Sequence, residues 1–150
     1  MIRILIIEDS TTIRENTAEL LELEGYATLT ASNGKIGLEQ IKLHMPDLIL
    51  CDLLMPEMDG FTVLKNLGQH PDLKRIPFIF FSAKSEKMEV NKGMDAGADA
   101  YITKPFELEE LLASIEKCLK GKSLFKWDAV CSILPYFFLS ASKICLFSFS

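Results

Sequence analysis

The chain has 150 residues, 49% of them hydrophobic and 25% charged, which suits one globular domain with an adequate core and a short appendage. A net charge of −5 and a pI near 5.1 set aside nucleic-acid binding, which asks for a basic face. The balance is uneven: residues 1–120 hold 13 Lys/Arg against 20 Asp/Glu, whereas residues 121–150 hold 3 against 1.

The first element is an apolar strand, Ile2–Ile7, which delivers the acidic pair Glu8-Asp9 at its end. It starts at once, with no separate apolar segment or cleavage site, so no signal peptide is expected and the protein is assigned to the cytoplasm. A helix follows near Thr12–Glu24, where Ile13, Leu20, Leu21 and Leu23 recur at helical intervals and Gly25 supplies a stop. The strand Ala27–Ala31 leads through the cap-like Ser32-Asn33-Gly34 into a helix over Gly34–His44. Leu48–Cys51 is a third strand, ending on Asp52, and the loop Leu-Leu-Met-Pro-Glu-Met-Asp-Gly60 carries a proline and then an Asp-Gly turn step. A helix at Gly60–Gln69 precedes the strand Pro77–Phe81, which ends on Ser82. A fourth helix spans Lys84–Ala96, with Met88, Val90 and Met94 assigned to the core. The short strand Ala100–Ile102 leads to Lys104, and Leu108, Leu111, Leu112, Ile115 and Leu119 stripe a last helix over Glu107–Leu119.

Five strand–helix repeats imply a doubly wound α/β fold with a five-stranded parallel sheet. Leu-Ile-Leu-Cys and Phe-Ile-Phe-Phe are apolar throughout, as strands covered on both faces must be. Ligands in such folds bind outside the carboxyl ends of the strands, and Glu8, Asp9, Asp52, Ser82 and Lys104 all follow strand ends. Cys51, Cys118, Cys131 and Cys145 have no metal or disulfide spacing and read as free thiols.

Glu8, Asp9 and Asp52 brought together repel, by roughly 4 kcal/mol for each charged pair about 4 Å apart at an effective dielectric near 20. Protonation or a cation must relieve this. A few hard oxygen ligands with open positions suit Mg²⁺, with Asp9 and Asp52 as direct ligands, Glu8 reaching the ion mainly through water, and the backbone carbonyl of Leu54 as a further ligand. Alternatively, Glu8 and Asp9 simply cap the following helix beside Ser10 and Thr11. Asp52 is a candidate nucleophile for a phosphoryl group, with Lys104, Ser82 and backbone amides neutralising the transferring oxygens. Each has a plainer reading, Lys104 as a solvated loop lysine and Ser82 as a turn residue.

Four pieces in order, Glu8-Asp9, Asp52-Leu-Leu-Met-Pro-Glu-Met-Asp-Gly60, Ser82-Ala83 and Tyr101-Ile-Thr-Lys-Pro-Phe106, resemble the response-regulator receiver domain of two-component signalling. The match covers about residues 1–120 and implies the flavodoxin-like (βα)5 receiver fold. By that resemblance Asp52 is the phosphoacceptor, Glu8 and Asp9 the acidic pair, Ser82 the switch hydroxyl, Tyr101 the switch aromatic and Lys104 the phosphate-binding lysine. Tyr101 as plain core packing stays open. The resemblance also implies a cis peptide before Pro105, and it makes Leu54 and Lys84 the variable positions that tune phosphoryl lifetime. The domain is expected to catalyse only its own phosphorylation and dephosphorylation, and so is not an enzyme in the ordinary sense.

The donor is expected to be a histidine kinase or histidine phosphotransfer protein, docking beside the first helix; His44 and His70 are read as surface residues rather than donors. Output is expected through the Lys84–Leu119 face to an effector protein, with no nucleic-acid contact. Residues 121–150 hold five of the ten Phe, the only Trp and six Ser, and show no motif. They are read as a segment without a folded role, as packing on the receiver or on a second subunit in a homodimer, or as a membrane contact. Competing classes are a haloacid-dehalogenase-type phosphatase, which needs an Asp where Leu54 stands, a flavodoxin-like flavin module, whose phosphate Glu8-Asp9 would repel, and a pseudo-receiver that is never phosphorylated.

Overall fold

The computed structural model describes the backbone of residues 1–83 and 87–131, and the side chains of residues 1–83 and 90–121. Its strands are β1 (Arg3–Ile7), β2 (Ala27–Ala31), β3 (Leu48–Asp52), β4 (Phe78–Ser82) and β5 (Ala100–Thr103). They alternate with α1 (Thr11–Leu23), α2 (Gly34–His44), α3 (Gly60–Gly68), α4 (Lys87–Asp95) and α5 (Leu108–Cys131). All neighbouring strands are parallel, in the order β2-β1-β3-β4-β5. Successive elements sit on either side of β1, so the strand order reverses between β1 and β3, and a crevice opens at their carboxyl ends.

The period of two in a strand explains how one apolar run serves two cores. Leu5, Ile7, Ile49, Cys51, Phe78 and Phe80 join Ile41 of α2 and Val63 and Leu67 of α3 on one face. Ile4, Ile6, Leu48, Leu50, Ile79 and Phe81 join Ala18 and Leu21 of α1 and Leu111 and Ile115 of α5 on the other. Each such large side chain contributes about 1.5–3 kcal/mol by leaving water.

Helix starts follow local chemistry. Ser10, Asn33 and Asp59 are N-caps, accepting from the backbone amides of Ile13, Ile36 and Thr62. Gly25 takes φ +94°, a left-handed conformation suited to glycine, and ends the α1 turn as expected.

Two expectations on helix faces need correction. Leu23 is 78% exposed, and the buried positions of α1 are Thr17, Ala18 and Leu21, because Leu23, two residues on from Leu21, falls on the opposite side of the helix. Met94 is 44% exposed rather than core; Met88 has a described backbone only. The last helix also continues past Leu119 to Cys131, since one glycine, Gly121, costs only about 1 kcal/mol in a helix and does not end it. The chain divides into two compact units, Met1–Leu119 and Lys120–Ser150. Lys84 and residues 132–150, on which the lifetime and tail expectations partly rest, lie outside the described residues. Among the described residues, no helix is long and apolar enough to cross a membrane, and Cys51 and Cys118 are buried and form no disulfide.

Candidate functional site

Parallel pairing in register brings the strand ends level. Ile7 stands opposite Cys51, so Glu8 and Asp52 follow at the same height, and Ser82 pairs with Thr103, which puts Lys104 one step beyond. Carboxylate oxygens of Glu8, Asp9 and Asp52 all lie within 4.8 Å of one another. Glu8 and Asp52 are buried and Asp9 is exposed. The Lys104 ammonium contacts Glu8 Oε2 and lies 3.5 Å from Asp52 Oδ2, with only 14% of its side chain exposed. Its Nζ lies over the Phe81 ring, 4.6 Å from the centroid, and its backbone N–H donates to the Ser82 carbonyl at 2.8 Å. The Lys104–Pro105 bond is cis.

Capping at α1 is done by Ser10. Its hydroxyl accepts from the Ile13 amide, while its own N–H donates to Glu8 Oε1 at 3.1 Å. Glu8 thus holds the amide of the cap residue as well as joining the cluster with Asp9. Burial pushes the Glu8 carboxyl up to about 7, against the pull of Lys104. Asp52 is raised as well, by burial first, with Lys104, Glu8 and a backbone hydrogen bond from Leu54 pulling the other way. Such a donor set fits a hard divalent cation: three carboxylates converge, two carry a desolvation penalty for their charge, and one faces solvent.

The turn after Asp52 differs from the simple Asp-Gly step expected. Positive φ falls on Glu57 (φ 70°), while Asp59 caps α3, accepting from the Thr62 amide at 2.8 Å and the Thr62 hydroxyl at 2.7 Å. Gly60 is there for space. A Cβ on it would stand 2.6 Å from the Asp52 carbonyl oxygen and 2.8 Å from Phe80 Cε1. Gly60→Ala is therefore expected to destabilise by about 1–3 kcal/mol, despite the better helix propensity of alanine, because the nearest atom is backbone. Urea unfolding checks this; an unchanged midpoint would show that the turn relaxes freely.

Tyr101 is half-buried, packed against the Phe80 side of the sheet with ring centroids 6.2 Å apart. Ser82 is buried at the end of β4, and Leu54 is 53% exposed at the mouth of the site. His44 is partly and His70 fully on the surface. Two contributors escaped the sequence reading: Phe81 beneath Lys104, and Arg14, whose Nη1 donates to the Glu8 carbonyl at 2.7 Å. For Arg14 the available signal was its place one helical turn into α1, beside the acidic corner.

A family model described as response regulator receiver domain matches residues 4–116. The chain belongs to this family. Its receiver is 40% identical over 124 residues to transcriptional regulatory protein DltR of Streptococcus agalactiae, covering 83% of this chain and 54% of that protein. Among solved structures, it is similar to the signal receiver domain of a signal transduction histidine kinase from Syntrophus aciditrophicus (39% identity, TM-score 0.75, 81% of this chain and 92% of that one). It is also similar to chemotaxis protein CheY4 of Vibrio cholerae (28% identity, TM-score 0.75, 79% and 98%). The chain spans about half the length of the curated relatives it matches. The receiver fold is thus found in a transcriptional regulator, a kinase and a chemotaxis protein, so the family itself leaves the output open. The expectation of no nucleic-acid contact applies to the acidic receiver and does not extend to full-length relatives.

Proposed function

We propose that this receiver is a phosphoacceptor in a two-component phosphorelay, taking a phosphoryl group from a partner phosphohistidine onto Asp52. The convergence of the Glu8, Asp9 and Asp52 oxygens within 4.8 Å, with the Lys104 ammonium beside them, carries this reading. An Asp52 carboxylate oxygen attacks phosphorus, a P–O bond forms, the P–N bond to the donor histidine breaks, and the leaving nitrogen keeps the electron pair. Lys104 and the Ser82 hydroxyl stabilise the charge spread over the phosphoryl oxygens. Asp9 and Asp52, with Glu8 through water and the Leu54 carbonyl, would hold Mg²⁺, which when bound supplies positive charge to those oxygens.

The phosphoryl group adds negative charge and acceptor oxygens where Ser82 ends β4. Drawing Ser82 towards it vacates space for Tyr101, which shifts the population of the Lys84–Leu119 face presented to an effector protein. A cytoplasmic setting, where histidine kinases present their phosphoryl donors, belongs to the same reading.

Incubation of the full chain with acetyl phosphate and Mg²⁺ tests it. The expected product is a single phosphoryl adduct, labile to base and hydroxylamine, mapping to Asp52 and absent when EDTA is added. No adduct, or one on another residue, sinks the assignment. The exposed, apolar Leu54 offers no hydrogen bond to an attacking water, so the acyl phosphate is expected to persist for minutes or longer. Loss of the adduct followed by intact mass gives the half-life; decay within seconds in Mg²⁺ contradicts this role for Leu54.

A further inference from the structure

The peptide joining Glu8 to Asp9 is planar, so fixing its carbonyl oxygen also fixes the direction in which Asp9 leaves the corner. That residue lies just beyond the paired part of β1: Ile7 is the last residue matched to both Ala31 and Cys51. Glu8 is tied to β2 through its amide, which donates to the Ala31 carbonyl at 3.1 Å. Its carbonyl takes its hydrogen bond from the half-buried Arg14, at 2.7 Å from Nη1. The same guanidinium reaches Thr11 Oγ1 through Nη2 at 3.4 Å, and the Arg14 amide donates to the Ser10 carbonyl at 2.9 Å.

We propose that Arg14 is a positioning residue for the acidic cluster, gripping the Glu8 carbonyl and so setting the direction in which Glu8 and Asp9 present their carboxylates. The corner needs such a grip. Three carboxylates whose oxygens lie within 4.8 Å push one another apart, and Asp9 is exposed. Without a fixed peptide plane the cheapest relief is rotation of Asp9 outward into water. A guanidinium resists this better than a neutral donor, because its charge strengthens the hydrogen bond to the carbonyl and partly offsets the anionic cluster. Lys104 holds the far side of Glu8 from β5, so Glu8 is clasped between a side-chain contact and a main-chain contact. Arg14 acts on the ion and the phosphoryl group only through these residues.

The inference rests on the reading of the cluster as an ion site, and two measurements on the full chain separate the two. The first is titration with MgCl2 alone, followed by calorimetry. Arg14→Ala is expected to weaken Mg²⁺ affinity about tenfold, the scale seen when a group orienting a metal ligand is removed, and Arg14→Lys to recover part of the loss. The second is amide exchange in EDTA, where Ser10, whose N–H is bound to Glu8 Oε1, is expected to exchange faster in Arg14→Ala while the amides of β3 and β4 do not change. Equal Mg²⁺ affinity in wild type and Arg14→Ala overturns the proposal, as does unchanged exchange at Ser10. A wild type that binds no Mg²⁺ strikes down the ion site instead, and the metal-free exchange at Ser10 then decides the role of Arg14 alone. Faster exchange throughout the sheet of Arg14→Ala, with Arg14→Lys behaving the same way, would mean general destabilisation and also overturns it.

Discussion

Asp52→Asn is expected to abolish phosphorylation by acetyl phosphate while making the metal-free protein more stable near neutral pH. An amide oxygen is a poor nucleophile, and neither of the other two carboxylates can replace Asp52: Glu8 is engaged by Lys104 and the Ser10 amide, and Asp9 belongs to the other strand end. The stability effect follows from the same geometry. Asp52 is buried, its carboxyl is raised chiefly by that burial, and it shares a small space with two other acids. Asparagine keeps the shape without the charge, which removes the cost of burying that charge and its repulsion by Asp9, while Lys104 keeps Glu8 as its partner. Intact mass after acetyl phosphate treatment reads the first effect, and thermal unfolding in EDTA at pH 7.5 reads the second. A variant that is both inactive and less stable would mean that the cluster is not strained, and that Asp52 holds the fold together rather than being tolerated for its chemistry.

The sheet was legible because its signal is local. Phe78-Ile-Phe-Phe81 and Leu48-Ile-Leu-Cys51 leave no polar face, and a strand with no polar face has to be covered on both sides. The set of side chains at the strand ends was equally legible, since parallel strands deliver their carboxyl ends to one edge. What sequence periodicity misjudged were the faces of α1 and α4. Thr17 looks polar, yet its hydroxyl donates to the Ile13 carbonyl at 2.7 Å, which allows it to be buried, while the larger Leu23 is exposed. Gly60 looked like turn chemistry but is a packing requirement, because the close approach to the Asp52 carbonyl arises only when α3 is docked on Phe80. The meeting of Lys104 with Glu8 depends on two side chains reaching over β3 and β4, and Arg14 acts through a main-chain carbonyl. The side-chain meeting leaves no trace in composition, and for Arg14 the spacing from Glu8-Asp9 marks the place but not the carbonyl it binds.

Stability should fall as pH rises from about 4.5 to about 7 in the absence of divalent cations, and Mg²⁺ should reverse that trend. The Glu8 carboxyl has an ordinary value of 4.5 and stands at about 7 in the folded protein, and Asp52 is raised too. Between those limits the folded state holds protons that the unfolded chain has released, so each unit of pH moves the balance towards unfolding. Below about 4.5 both states are protonated and this contribution is fully present; above about 7 it has been lost. An ion held by ionised carboxylates has the opposite dependence, because protons compete with it. At one hundred times its Kd, Mg²⁺ binding to the folded state adds about 2.7 kcal/mol, and this gain should be largest at pH 8 and small at pH 5. Thermal unfolding at pH 5, 6, 7 and 8, with EDTA or with Mg²⁺, measures both curves. Other ionisable groups contribute to the overall slope, so Glu8→Gln serves as the reference: it removes the raised carboxyl and should flatten the metal-free curve. Parallel wild-type curves, with a Mg²⁺ gain equal at pH 5 and pH 8, would place the ion away from these carboxylates. A metal-free slope retained in Glu8→Gln would instead mean that the buried acid next to Lys104 is already ionised throughout, its charge stabilised by the ammonium beyond what burial opposes.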